Sequence, residues 1–366
     1  MPSPRARCRT AVALIAAICL APVTTSAASP QPGTDGAGWP DPRAERAGFS
    51  ARENPLTADE YVGVDGNVHH HSPTLIRGRD GRVYYGEEMD GACGYGSRFT
   101  KGMDQLARLA RVIEKSGRRV VFTVAPNKSA VVKKDILKGQ LPHGKCDLMG
   151  IAQQDRTLDT YKNNSYVPLR RALLQRAQQG QTHLFWPIDT HWTRVAAQTW
   201  VDALARHLDP VLAARQTLRK GKETIETDVS FLGVIPETRE TGPAYFTTTP
   251  VTVKAEPAYD ASKVVSLEHT WTAKPARRAW PGRTLVIGDS FTYRALDNLM
   301  PLFAHGRFLW YGQEGVPSIS DGIARADTVV IAIVQRWVPI SPITTTSFRR
   351  EVGAALAGSP RERPQE

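Results

Sequence analysis

Two short polar blocks, well separated in the sequence, contain the side chains of an acyl-transfer triad. Residues 189–192 read DTHW, and residues 288–291 read GDSF. A serine hydroxyl needs a base to become a good nucleophile, a histidine can take its proton and return it to the leaving group, and a carboxylate fixes the imidazole tautomer. We therefore identify Ser290 as the candidate nucleophile, His191 as the base and Asp189 as the carboxylate that orients it.

The serine block follows an apolar run at residues 284–287, which predicts a buried strand. A turn between such a strand and a helix would expose Ser290 at the carboxyl end of the sheet, where open α/β sheets carry their sites. The backbone N–H of Ser290 could then face a developing oxyanion. Each block alone has a structural alternative, an ordinary turn, and it is their combination that favours catalysis.

The elements that must position these blocks follow an α/β pattern, because an amphipathic helix is followed by an apolar strand of the kind buried on both faces. The predicted elements are, in order, a hairpin over 75–85, a helix over 99–113, a buried strand over 120–125, helices over 167–177 and 197–208, the strand over 284–287, a helix over 294–303, strands over 308–311 and 328–334, and a helix over 347–357. Residues 218–281 lack helical periodicity and predict extended connections and short strands between the two blocks.

The N-terminus has the composition of a secretory signal, with three arginines, a short apolar stretch and small residues near Ala28. We predict a signal peptide over 1–28, a flexible leader over 29–58, a catalytic domain over 59–358 and a disordered tail over 359–366. An uncleaved N-terminal anchor is the alternative for the first segment. No later segment is apolar over a membrane-spanning length, so the sequence predicts an exported, soluble protein.

Four cysteines are present, and Cys8 and Cys19 would leave with the signal peptide. Two cysteines that remain in an exported chain commonly pair. We therefore predict a disulfide between Cys93 and Cys146, with two free thiols as the alternative.

The chain has a formal net charge of +11, but its basic residues are scattered. This argues against a nucleic-acid partner and fits either an acidic polysaccharide neighbour or simple solvation. Residues 69–71 are three consecutive histidines, yet adjacent side chains point in different directions and no second ligand cluster has metal spacing. The sequence therefore predicts no metal site.

The motifs and the order of the two blocks resemble those of a known family. Gly-Asp-Ser after a strand resembles the first motif of the SGNH (GDSL-like) hydrolases, in which the serine motif comes first. The reversed order found here resembles the alginate O-acetyltransferase (AlgX/AlgJ-type) family. Residues 77–85, 124–128 and 329–337 resemble, respectively, the family's early hairpin, its strand followed by Pro-x-Lys, and its last core strand.

This resemblance, over about residues 68–337, implies an SGNH-hydrolase-like three-layer α/β fold. Its sheet would be mainly parallel, its motif order permuted, and a β-rich insertion would separate the catalytic blocks. The hairpin departs from the family in lacking its tryptophan and leucine, and no carbohydrate-binding module follows the core.

Four further residues are candidates for substrate or oxyanion contacts: Asn127, Lys128, Trp192 and Arg336. Each has an ordinary alternative, namely a turn asparagine, a surface lysine, a packed tryptophan and a solvated arginine. The second hydrogen-bond donor to the oxyanion is not assigned, and Asn127 is one candidate for it.

The resemblance implies an exported O-acetyltransferase that moves an acetyl group through Ser290 to a carbohydrate, either an exopolysaccharide or a cell-wall polymer. It also implies a membrane-bound partner that delivers acetyl groups. We expect no cofactor and a monomer. An acetyl or carbohydrate esterase with the same triad is the first alternative, and a non-catalytic polysaccharide-binding protein of the same fold is the second.

Overall fold

The computed structural model of the chain describes residues 60–62, 68–70, 75–78, 81–132, 136, 141, 143–181, 183–228, 239–254, 269–275, 278–312 and 315–359. The strands are β1 Glu60–Val62, β2 Val68–His70, β3 Leu75–Arg77, β4 Val83–Tyr85, β5 Arg119–Ala125, β6 Tyr166–Val167, β7 Leu218–Glu226, β8 Arg239–Thr247, β9 Val251–Lys254, β10 His269–Ala273, β11 Trp280–Gly288, β12 Phe303–Trp310 and β13 Thr328–Val334. The helices are α1 Gly86–Lys115, α2 Lys128–Val131, α3 Lys145–Thr160, α4 Leu169–Gln178, α5 Arg194–Leu208, α6 Pro210–Ala214, α7 Ser290–Leu299, α8 Val316–Arg325 and α9 Thr346–Ala357.

A seven-stranded sheet with the order β6-β5-β13-β11-β12-β10-β9 forms the centre of the fold. The strands from β6 to β12 pair in parallel, while β10 and β9 extend the sheet antiparallel at one edge. Because the carboxyl ends of the parallel strands lie at one edge, the segments after β5, β13 and β11 come together there. We call this the carboxyl edge.

Helices cover both faces of the sheet. Alternate residues of β13 separate into two cores: Val330 and Ala332 pack with α5 and α7 residues, whereas Val329 and Ile331 pack with α1, α8 and α9 residues. This two-sided burial explains why the central strands are almost continuously apolar. The predicted three-layer α/β fold with a mainly parallel sheet is confirmed.

Most predicted elements are present, and the differences have local causes. Helix α1 begins at Gly86, well before residue 99, although its first turns are rich in glycine, a poor helix former. Tertiary contact with α3 compensates, since a Cβ at Gly150 would lie 1.8 Å from the carbonyl oxygen of Ala92. Helices α3 and α8 were not predicted.

The insertion differs most from its prediction. Strands β7 and β8 are not short, because they pair over nine residues each in a long hairpin. Strands β9 and β10 are short, as predicted, and they join the edge of the main sheet. Helix α7 also begins earlier than predicted, at Ser290 rather than near residue 294.

The predicted disulfide is confirmed. Cys93 on α1 and Cys146 on α3 are bonded, and their Cα atoms are 5.0 Å apart. The bond joins the two helices that approach closely at Gly150.

The proposed signal peptide, the leader and residues 360–366 of the tail lie outside the described residues, and the domain bounds at 59 and 358 stay predictions. So does the interpretation of the histidine triplet, since His71 is not among the described residues. Within the described ranges, no helix combines the length and apolar character required to span a membrane.

Candidate active site

Ser290 follows β11, as the sequence predicted, and it is the first residue of α7, with Asp289 between the strand and the helix. Its side chain is partly exposed, whereas the residues on either side are buried. Gly288 permits this tight junction, because a Cβ there would lie 2.2 Å from the hydroxyl oxygen of Thr292. The serine is therefore presented at the carboxyl edge by a strand, a close turn and a helix start.

Asp289 fixes this junction rather than serving the chemistry. Its carboxylate accepts hydrogen bonds from Phe291 N at 3.0 Å, Tyr311 Oη at 2.9 Å and Val334 N at 2.6 Å. Burial raises the pKa of Asp289, although these donors favour its charged form. One carboxylate thus caps α7 and ties the ends of β11, β12 and β13 together.

The loop that carries His191 has irregular backbone and is held by its surroundings. An isolated antiparallel bridge joins Phe185 and Trp192, and Thr193 N donates to Leu184 O at 3.0 Å. No regular strand forms over 184–188, in keeping with the presence of Pro187.

Lys128 is a main anchor of this loop. Its side chain is 0% exposed, and its Nζ donates to Trp186 O at 2.6 Å, Pro187 O at 2.7 Å and Val83 O at 2.6 Å. Burial lowers the pKa of Lys128 to about 8, against the raising influence of the Glu88 and Asp189 charges. The alternative of an ordinary surface lysine is wrong, because Lys128 is buried and its ammonium donates to main-chain carbonyls instead of to water.

Asp189 and His191 form the expected pair. His191 Nδ1 lies 3.0 Å from Asp189 Oδ1, which also accepts the His191 backbone N–H at 2.7 Å. Asp189 is fully buried, and its second oxygen lies 3.4 Å from Arg294 Nη2 on α7. This arrangement fixes the imidazole with Nε2 as its free nitrogen.

Asp228, which the sequence analysis missed, is a second carboxylate on the same ring nitrogen. Its Oδ2 lies 3.1 Å from His191 Nδ1, and its backbone N–H donates to Asp189 Oδ2 at 2.8 Å. Asp228 lies two residues after the end of β7, and no motif in the sequence marks it. Only the pairing of β7 with β8 and the packing of that hairpin bring it to the site.

The surroundings of the imidazole shift the pKa values of both Asp189 and His191. Burial alone would raise the pKa of Asp189, but the Arg294 guanidinium and the hydrogen bonds from His191 hold it well below its usual range. Burial alone would lower the pKa of His191, but the hydrogen bonds to Asp189 and Asp228 and their negative charges raise it. The site therefore favours the ion pair of carboxylate and imidazolium.

The two blocks meet through Phe291 and Trp192. The His191 and Phe291 rings are 4.9 Å apart, and Trp192 Nε1 donates to Phe291 O at 3.0 Å. Trp192 is 2% exposed and packs in the core, as the packing alternative predicted.

His191 Nε2 is buried and forms no hydrogen bond with Ser290 or any other residue within the described ranges. Ser290 stays the predicted nucleophile.

Asn127 lies at the carboxyl edge after β5, where the chain turns into α2. Its N–H donates to Gln335 Oε1 at 3.1 Å, and its Oδ1 accepts from Arg336 N at 3.3 Å. Gln335, which the sequence analysis did not single out, is held in turn by Gln154 Oε1 at 2.9 Å. Because Oδ1 is an acceptor here, the Nδ2 group of Asn127 is the donor that remains for an oxyanion role.

Arg336 is not the solvated arginine of the ordinary alternative, since its side chain is only 9% exposed. Its guanidinium lies 5.3 Å from the centre of the Phe291 ring and 5.2 Å from that of Tyr85. Its Nη1 is 3.8 Å from the buried carboxylate of Glu88. Burial raises the pKa of Glu88, although the charge of Arg336 opposes this. The Arg336 guanidinium thus packs against Phe291, the residue that follows Ser290.

Asp189, His191 and Asp228 also have the composition of a small cation site, with donor atoms within 4.8 Å of one another. The structure does not favour that use. The Nδ1–carboxylate distances are those of hydrogen bonds, and both oxygens of Asp189 already accept backbone N–H groups. The Arg294 guanidinium beside Asp189 would also repel a cation.

Comparison with known proteins identifies a family. The family model "SGNH hydrolase-like domain, acetyltransferase AlgX" matches residues 75–292. No curated protein matches the chain.

Three solved structures are similar in fold. The O-acetyltransferase domain of Pseudomonas putida AlgJ is 15% identical, with a TM-score of 0.47 over 77% of this chain and 99% of that one. Bacillus cereus PatB1 is 11% identical, with a TM-score of 0.48 over 76% and 96%. Pseudomonas aeruginosa AlgX is 11% identical, with a TM-score of 0.43 over 77% and 65%. The family assignment rests on the family model.

Proposed function

The chain belongs to the AlgX family of SGNH hydrolase-like acetyltransferases, and from this premise we propose that it is an exported O-acetyltransferase that uses Ser290 as nucleophile. The acceptor would be a carbohydrate hydroxyl, on an exopolysaccharide or a cell-wall polymer. The disulfide between Cys93 and Cys146 supports an extracytoplasmic location, since such bonds persist in oxidising compartments.

The observation that carries this proposal is the pair of contacts between the two blocks. Trp192 of the histidine block bonds to Phe291, the residue after Ser290, and Arg294 of the serine helix lies 3.4 Å from Asp189. Segments a hundred positions apart are thereby held against each other at the carboxyl edge. Acyl transfer requires a nucleophile, a base and a carboxylate close together, and these contacts support that arrangement.

In the proposed first half-reaction, Ser290 Oγ attacks the carbonyl carbon of an acetyl donor while His191 Nε2 takes the hydroxyl proton. The tetrahedral intermediate collapses, the proton passes to the departing oxygen, and the acetyl group stays on Ser290. In the second half-reaction, a sugar hydroxyl gives its proton to His191 and attacks the acetyl carbon. Ser290 Oγ then departs and takes the proton from His191, which leaves the acetylated sugar and the free enzyme. Catalytic hydrogen bonds are often absent or long before substrate binds, so the bond between His191 Nε2 and Ser290 would form in the complex.

The oxyanion of each intermediate would need donors already in place. The N–H of Ser290 at the start of α7 is the first candidate. The Nδ2 group of Asn127 is the second, since its amide oxygen is engaged by Arg336 N. Lys128 is assigned no substrate contact, because its ammonium is taken up by carbonyls. Arg336 would act through Phe291, against which it packs.

An exported acetyltransferase has no acetyl-CoA at hand, so the proposal includes a membrane-bound partner that supplies acetyl groups. Incubation with an activated acetyl ester, with and without an oligosaccharide, tests the proposed reaction. Mass spectrometry should find acetylated sugar in the first arm and slow release of acetate in the second. Rapid acetate release that no sugar suppresses would identify an esterase instead. Tight binding of oligosaccharide without either product would identify a non-catalytic binding protein.

A further inference from the structure

The long hairpin β7–β8 contributes to the site at the point where β7 ends. Asp228, two residues after Glu226 at the end of that strand, reaches the imidazole of His191 with a side chain that is 23% exposed. It comes from the insertion between the two blocks. Neither the motifs nor the family model, which names no residue, assigns it a role.

Asp228 is engaged with every residue of the histidine block that precedes Trp192. Its Oδ1 accepts from Thr190 N at 2.9 Å, and its Oδ2 accepts from the Thr190 hydroxyl and lies 3.1 Å from His191 Nδ1. Its N–H donates to Asp189 Oδ2 at 2.8 Å. The segment that follows β7 thus contacts the histidine block through both the backbone and the side chain of Asp228.

Two carboxylate oxygens therefore share one imidazole N–H, at 3.0 Å from Asp189 and 3.1 Å from Asp228. They differ in their other partners. The charge of Asp189 is partly offset by Arg294, whereas Asp228 makes its contacts with Thr190, His191 and Asp189. With His191 protonated, the two carboxylates are balanced by the imidazolium and by Arg294. With His191 neutral, the cluster carries one excess negative charge.

We propose that Asp228 is a second positioning carboxylate of His191, so that the base is oriented and stabilised by two aspartates on different elements. This rests on the proposed role of His191 as the base. In the transition state the imidazole takes the proton of Ser290, and Asp228 stabilises the charge that forms. The hairpin, through this residue, becomes part of the catalytic machinery rather than a surface insertion.

The direct test is the titration of the His191 ring by NMR in the full chain with Asp228→Asn. The charged groups facing the ring are Asp189 and Asp228, with Arg294 behind Asp189 and Arg336 behind Phe291. Removing one adjacent negative charge should lower the His191 pKa by about one unit or more. Asp228→Glu, which restores the charge, should recover most of the shift.

Glu226→Gln is the matched control. It removes the same charge from the same hairpin two residues away, but Glu226 pairs with Arg239 at 2.9 Å rather than with His191. The His191 pKa should stay within about 0.3 units of wild type in this variant, because exposed charges at a distance are screened. If Asp228→Asn does not fold, Asp228→Ser removes the charge while it keeps a polar group, and the same shift is expected.

Kinetics supply a second readout. A neutral base is required, so aryl acetate turnover is lost as pH falls through the His191 pKa. In Asp228→Asn this acid limb should move to lower pH, and kcat should fall by about tenfold with little change in KM. An unshifted His191 titration in folded Asp228→Asn would overturn the inference. A shifted titration in a chain without acyl transfer would leave it standing and reject the proposed function instead.

Discussion

The segment that carries Ser290 and the loop that carries His191 meet at the carboxyl edge, but different interactions hold them there. The serine segment is a continuation of regular structure, with β11 before it, α7 after it and Asp289 as the cap between them. The histidine loop has no regular structure of its own. It is fixed by the ammonium of Lys128, by Asp228 from the hairpin and by Arg294.

The two buried aspartates of these segments show what this difference means. Asp289 binds backbone and tyrosine donors, and burial raises its pKa. Asp189 binds the imidazole and faces an arginine, and its pKa is lowered. The Asp289 carboxylate stabilises the junction between β11 and α7. The Asp189 carboxylate stabilises the positive charge that His191 would acquire during the proposed reaction. Substitutions in the two segments should therefore fail in different ways.

The largest effect is expected at the nucleophile. Ser290→Ala should lower turnover of an aryl acetate by about a thousandfold or more, because no other group can form the acetyl ester. Its circular dichroism should match wild type, since the partly exposed hydroxyl supports no described core contact. Ser347→Ala, an exposed serine at the start of α9, should leave turnover unchanged. Wild-type turnover in folded Ser290→Ala would remove the serine mechanism.

The histidine loop should show a graded response. His191→Ala should also lose about a thousandfold or more of turnover, because the base acts in both half-reactions. Asp189→Asn should be milder, since it removes an orienting group rather than the base, and Asp228 keeps its contact with Nδ1. Steady-state kinetics of both variants compare them. Equal losses would mean that Asp189 alone controls the imidazole.

Lys128→Met tests whether the loop depends on its buried anchor. Loss of the ammonium leaves several carbonyls without a donor, so the free energy of unfolding should fall by about 2–4 kcal/mol in urea. Turnover should fall by about tenfold as the imidazole loses its position. Lys101→Met on the exposed face of α1 should change stability by no more than about 0.5 kcal/mol. Unchanged stability in Lys128→Met would contradict the anchoring role.

The disulfide should affect stability alone. It closes a loop of 53 residues between α1 and α3, and replacing both cysteines with serine should lower the free energy of unfolding by about 2–4 kcal/mol. Turnover should stay near wild type, because neither cysteine belongs to the site. A thiol count on denatured, unreduced protein should find none at Cys93 and Cys146. Two reactive thiols would show that the bond does not form.

The same contrast explains what the sequence could predict. The strand, turn and helix around Ser290 are encoded locally, by an apolar run, a glycine and a capping aspartate, so the position of the serine was predictable. The fold class followed from the same kind of pattern. The pairing of Asp189 with His191 was also predictable, because the two residues are only two positions apart in one loop.

The rest depends on contacts between distant segments. Asp228 reaches the site only because β7 pairs with β8 over nine residues, and Lys128 is buried only because the loop closes over it. Strands β9 and β10 join the sheet through β12, which no local pattern specifies. Such residues look ordinary in the sequence, a hairpin aspartate and a lysine after a strand, and acquire their roles through tertiary structure.

The central claim is that the acetyl group passes through Ser290, and trapping it there is the most direct test. The full chain would be mixed with an activated acetyl ester, quenched in acid within the first turnover and mapped by peptide mass spectrometry. The account predicts acetyl on the peptide that contains Ser290, absent in Ser290→Ala and discharged when oligosaccharide is added before the quench. Sustained acetyl turnover with no acetyl on Ser290 at any quench time would contradict it.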